Sequence, residues 1–134
     1  MTVSSLNSLN SSQVQNLSTV AIQALSLQTI QGLTTSFISS LSPSQFQVLG
    51  SNQIISLTSA QLGTLTSAQV QTLSSTDFSV LSPVQISFLS TLGIASLTTS
   101  QVAYLQTNQI AGLTTSLIYW IQPLSFVKVM VYLF

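Results

Sequence analysis

At 134 residues the chain has the length of one ordinary domain, yet only 1% of it is charged, where a soluble domain carries roughly 25%. Asp77 and Lys128 are the only charged side chains, and there is no cysteine and no histidine. That excludes disulfides, thiolate nucleophiles, the usual zinc sites and imidazole acid–base chemistry, and one basic residue makes no nucleic-acid surface.

The opening "MTVSSLNSLNSSQ" lacks the basic n-region and apolar h-region of a secretory signal, so the expectation is either export by another route or a chain that is a piece of a larger protein. From Leu9 onward a leucine recurs every eight residues, through Leu17, Leu25, Leu33, Leu41, Leu49, Leu57, Leu65, Leu73, Leu81, Leu89, Leu97, Leu105 and Leu113, and the column continues as Ile121 and Val129. A second apolar column occupies the sixth position of the same octad, from Leu6 and Val14 to Phe126 and Phe134. The register never slips, and a fixed period of this kind is the signature of a solenoid.

The second position of the octad is mostly Ser or Thr and the fifth is often Gln, as in Thr58/Gln61, Thr66/Gln69, Ser82/Gln85 and Thr98/Gln101. Ser/Thr-x-x-Gln is a capping box: the hydroxyl accepts from the backbone N–H three residues on, and the Gln amide reaches back to the N–H of the cap residue. The apolar residues just before the cap and four after it stand where a hydrophobic staple needs them. Pro43, Pro83 and Pro123 all occupy the third position, the first helical residue, which tolerates the missing N–H. Asp77 takes the fifth position of its octad, "SSTDFSVL", where an acid beside a helix start is stabilised by the helix dipole, so a capping role is expected there and not acid–base catalysis.

Each octad therefore predicts one short helix from its third position, then a bend before the next cap. The fold expected is an all-α solenoid of one-to-two-turn helices with an eight-residue repeat. A β-solenoid is the alternative, favoured by the Thr, Val, Ile and Gln content; against it, the two apolar columns have opposite parity and share one face of a strand only across a bend. The repeat is expected over 1–118, and 119–134 is an aromatic and apolar segment that keeps its phase. That end, "LIYWIQPLSFVKVMVYLF" from Leu117, carries only Lys128. With Gln122 and Pro123 in its middle and a length at the short limit for a span, it is expected to be a terminal docking surface or β-run rather than a membrane helix, with a truncated or shifted reading frame as a further alternative.

Small or uncharged residues fill the remaining positions, and the apolar columns reach both ends without a polar cap. The expected consequence is self-association, with Ile121, Phe126, Val129 and Phe134 of one chain meeting Leu6, Leu9 and Val14 of the next. The octads "LTTSQVAYL" and "LTSAQVQTL" resemble tandem repeats found in long stretches of large bacterial secreted or surface proteins, often labelled as adhesins or haem-utilisation proteins. The resemblance covers about residues 6 to 118 and lies in the style of the repeat. It implies an extracellular, structural setting and transfers no functional residues; no cofactor and no metal are expected, and no enzyme. The functional expectation is a structural repeat protein that assembles head to tail into a filament or adhesin stalk, its partner a second copy of itself. The alternative is a module presenting Ser/Thr rows to ice, glycan or mineral.

Overall fold

A computed structural model describes residues 2–111, and every regular element among them is a short helix. In chain order these are α1 (Val3–Asn7), α2 (Ser11–Gln15), α3 (Thr19–Gln23), α4 (Leu27–Gly32), α5 (Thr35–Ser40), α6 (Pro43–Gln47) and α7 (Ser51–Ile55). They continue as α8 (Ser59–Gly63), α9 (Ser67–Gln71), α10 (Ser75–Val80), α11 (Pro83–Ser87), α12 (Thr91–Ala95), α13 (Thr99–Tyr104) and α14 (Thr107–Ala111). The architecture is an all-α solenoid. The β-solenoid alternative is set aside, since no strand occurs among the described residues.

Local chemistry explains why each helix starts and why it stops. The residue at octad position two is extended, as at Thr66 (φ −76, ψ 160) and Ser42 (φ −65, ψ 158), and its hydroxyl accepts from the N–H three residues on. A Ser or Thr so used is held out of the helix and closes one of the donors that a helix start leaves unpaired. Pro43 and Pro83 open α6 and α11. At Gly50 there is no hydroxyl to accept, and only the return bond survives, from Gly50 N–H to Gln53 Oε1 at 2.8 Å. The leucine of position one is extended as well where it ends a helix, for example Leu41 (φ −60, ψ 133) and Leu81 (φ −70, ψ 132). There two consecutive extended residues turn the chain, and no described helix outlives its octad.

The helices wind into a superhelix in which each packs on the third one after it: α2 on α5, α3 on α6, α4 on α7, α5 on α8, α6 on α9, α7 on α10, α9 on α12, α10 on α13 and α11 on α14. Position six lines the axis. Its members from Leu6 to Ile110 are all at most 2% exposed, and the position-one leucines from Leu33 to Leu105 are buried around them. Leu9, Leu17 and Leu25, in the first turn, are only partly buried. No octad could bury its two large side chains alone; each is covered by the turns before and after it, so stability accrues repeat by repeat along one dimension.

Candidate functional site

The feature that joins one turn to the next is the glutamine of position five. Gln69, fully buried, closes its own helix start: its N–H donates to Thr66 Oγ1 at 3.1 Å and its Oε1 accepts from Thr66 N–H at 3.0 Å. Its Nε2 then donates to the carbonyls of Ile38 and Leu41, both at 2.8 Å. Those carbonyls lie at the C-terminal end of α5, where the last C=O groups of a helix have no partner within it. One side chain thus satisfies an orphan donor of one helix, Thr66 N–H, and donates to two carbonyls a turn away, of which Ile38 O also accepts from Leu41 N–H, so the buried backbone polar groups are paired as burial requires.

The arrangement recurs. Gln45 donates to Val14 and Leu17, Gln61 to Ile30 and Leu33, Gln101 to Val70 and Leu73, and Gln109 to Phe78 and Leu81. Gln53 reaches Gln23 and Leu25; Gln85, half-buried, reaches only Ile55. The partners stand 31 and 28 residues back for Gln45, Gln61, Gln69, Gln101 and Gln109, 30 and 28 for Gln53 and 30 for Gln85, and 28 residues are three and a half octads. Adjacent turns are therefore out of phase by half a repeat, and each glutamine slots between two octads of the turn below it.

The capping pairs Thr58/Gln61, Thr66/Gln69, Ser82/Gln85 and Thr98/Gln101 all form both bonds of the box. Replacing Thr66 by Ala is expected to cost about 1 kcal/mol, because the N–H of Gln69 loses its acceptor. Ser67, one residue on and not a cap, should cost far less when replaced. Equal losses in urea denaturation at the two positions would contradict the assigned helix register.

Column five is interrupted in places. Asp77 keeps the capping box, with Oδ2 accepting from Ser74 N–H at 2.9 Å, and its Oδ1 accepts from the Ser51 hydroxyl at 3.1 Å. A carboxylate has no hydrogen to give to carbonyls, however. Buried Gly93 has no side chain to give; a Cβ there would lie 3.4 Å from Val70 Cγ2 and 3.4 Å from Ser90 Oγ. Phe37, also in column five, is buried in the core.

The first turn is different again. Gln13 is exposed and makes only its own box, with Asn10. Ala21 and Thr29 replace the glutamines that would follow, and together with Ala24, Leu25 and Ser26 they line an open cleft of about 400 Å³. Cross-turn contact at this end comes instead from Asn7, whose Nδ2 donates to Gly32 O at 3.0 Å and whose Oδ1 accepts from Thr34 N–H at 2.9 Å.

Of the residues expected to meet a second chain, Leu6 and Val14 are buried in the axis of the chain's own first turn, and Leu9 is partly buried against it. Ile121, Phe126, Val129 and Phe134, with the rest of 119–134, lie outside the described residues. Exposed apolar side chains sit elsewhere on the sides of the solenoid, notably Val20, Val84 and Leu92. Among the described residues no helix is long and apolar enough to cross a membrane, and no three acidic, histidine or cysteine side chains come together to hold a metal ion.

No curated protein and no solved structure matches the chain. Residues 85–115, which contain the segment Leu97–Gln101 reading LTTSQ, match the model of the ALTTAQ repeat family, and with the octads that wind through the described structure they make this chain a repeat protein.

Proposed function

We propose that this repeat protein is a structural element of the cell exterior, a segment of filament or adhesin stalk whose copies join head to tail. The observation that carries the reading is the partly uncovered face of the first turn. Leu9, Leu17 and Leu25 belong to the column that is buried from Leu33 to Leu105, and among the described residues no turn lies against their other side. A second copy that placed a turn of octads there would repeat the contact each internal turn already makes. Such a contact is heterologous and does not close, so it propagates. The near-absence of charge removes the repulsion that would hold copies apart. The Ser and Thr hydroxyls of position two are engaged as helix caps, which favours an architectural role for them over presentation to ice or glycan.

The test is electron microscopy and sedimentation of the purified chain beside a variant carrying Leu9→Lys and Leu25→Lys. Both leucines are only partly buried, so a lysine can lay its stem on the core and keep its ammonium in water. The parent should form fibres, and the variant should stay monomeric with the same helical circular dichroism. Fibres from both would refute the end-face model and move association to the sides of the solenoid.

A further inference from the structure

The stitching between turns is uneven. Gln53, Gln61 and Gln69 send six hydrogen bonds to the turn below. The next three members of column five are Asp77, Gln85 and Gly93, and among the described residues their octads are joined to the turn below by three side-chain bonds, half as many: Ser51 hydroxyl to Asp77, Gln85 to Ile55 O and, at the far edge, Gln71 Nε2 to Ser96 O. Gln101 and Gln109 then resume with two bonds each. No column-five amide reaches the carbonyls of Phe46 and Leu49, which stand 31 and 28 residues before Asp77, or those of Leu62 and Leu65, which stand the same distances before Gly93. The apolar axis does not weaken in parallel, because Phe78, Ile86 and Ile94 are as deeply buried as any other member of position six. What distinguishes this stretch from its neighbours is hydrogen bonding. The same turn also carries Val80, Val84, Phe88 and Leu92 on its surface, outside the two buried columns.

We propose that the seam between residues 46–65 and 77–93 is a built-in opening point, where the solenoid parts first into two segments that remain stitched within themselves. In a quasi-one-dimensional array each turn contacts only its neighbours, so a joint that is short of bonds opens without disturbing the others. Regions of a protein do open separately, at free energies set by their local contacts. The inference depends on the internal ladder alone and does not require that copies assemble.

Native-state hydrogen exchange read by mass spectrometry tests it, on the full chain and two variants. In the parent, peptides bordering the seam, within 46–65 and 77–93, should exchange ahead of those within 30–41. Asp77→Gln supplies a donor for Phe46 O and Leu49 O while preserving the capping box, and should slow exchange along the seam by about tenfold, as expected for one to two net hydrogen bonds. Gln69→Leu removes both bonds from a well-stitched joint and should speed exchange around 38–41 and 66–73 by about as much. Uniform protection in the parent overturns the proposal. So does an Asp77→Gln protein whose seam exchanges like the parent's; if that variant does not fold, unchanged exchange in Gln69→Leu overturns it equally.

Discussion

Replacing Gln69 by glutamate is expected to cost on the order of 3–5 kcal/mol at neutral pH, a large part of the stability of a small domain. The substitution is chosen because it spares the local helix start. Glutamate makes a capping box as well as glutamine does, so Thr66 keeps both its bonds. What is lost is the Nε2 donor to Ile38 and Leu41, and what replaces it is a charge at a fully buried position facing two carbonyl dipoles. Burial disfavours the charged form and raises the carboxyl's folded-state pKa above its unfolded value of about 4.3. The sign of the pH dependence follows. Above the raised pKa the full penalty applies; as the pH falls through it toward about 4.3 the group is protonated in the folded state and the penalty is withdrawn. A protonated carboxyl also regains one O–H donor for a carbonyl. Urea denaturation of Gln69→Glu should therefore show stability recovering as the solution is acidified from neutrality toward that value. A loss of less than about 1 kcal/mol, or one independent of pH, would mean that the Gln69 side chain does not bridge the turns.

Truncating Phe78 to Ala should have an effect of similar size, about 3–5 kcal/mol. Phe78 is among the largest fully buried side chains, and its ring lies 6.3 Å from that of Tyr104, tilted by 45°. The substitution removes the transfer free energy of the ring and leaves a cavity in the axis of the superhelix, where turns above and below are held by their own caps and cannot collapse to fill it. Val80, two residues away in the same helix but 41% exposed, should change stability by no more than about 0.5 kcal/mol when replaced by Ala. The contrast between neighbours is the measurement, because it separates the buried column from general damage to α10. Comparable losses at the two positions would place the axis elsewhere.

The local part of this structure was legible in the sequence because it is written within eight residues. Thr66, Gln69, Val70 and the leucines on either side define a cap, a staple and a stop, and Pro43 and Pro83 open helices where that pattern puts them; Pro123 lies outside the described residues. The pitch of the superhelix was not legible. It depends on a pairing between Gln69 and residues 38 and 41, and nothing inside an octad states that three and a half repeats complete a turn. The second role of the glutamines was missed for the same reason, although the sequence carries a signal for it: a capping box accepts Glu as readily as Gln, yet no glutamate occurs at position five or anywhere else in the chain. A column that takes glutamine repeatedly, never glutamate, and a carboxylate only at Asp77 is one whose amide N–H groups are needed. Leu6 and Val14 look like end residues in a linear reading, but the winding of the chain buries both in the same core as Phe37 and Ile38, α2 packing on α5.

The account stands most directly on the placement of one amide group, and nuclear magnetic resonance can locate it. Through-space contacts from the Nε2 protons of Gln69 should reach backbone protons of residues 38–42, some thirty positions earlier in the chain, with slow side-chain amide exchange in keeping with full burial. Contacts confined to residues 65–73, with the amide exchanging as if exposed to solvent, would leave the helix caps in place and contradict the glutamine-stitched solenoid.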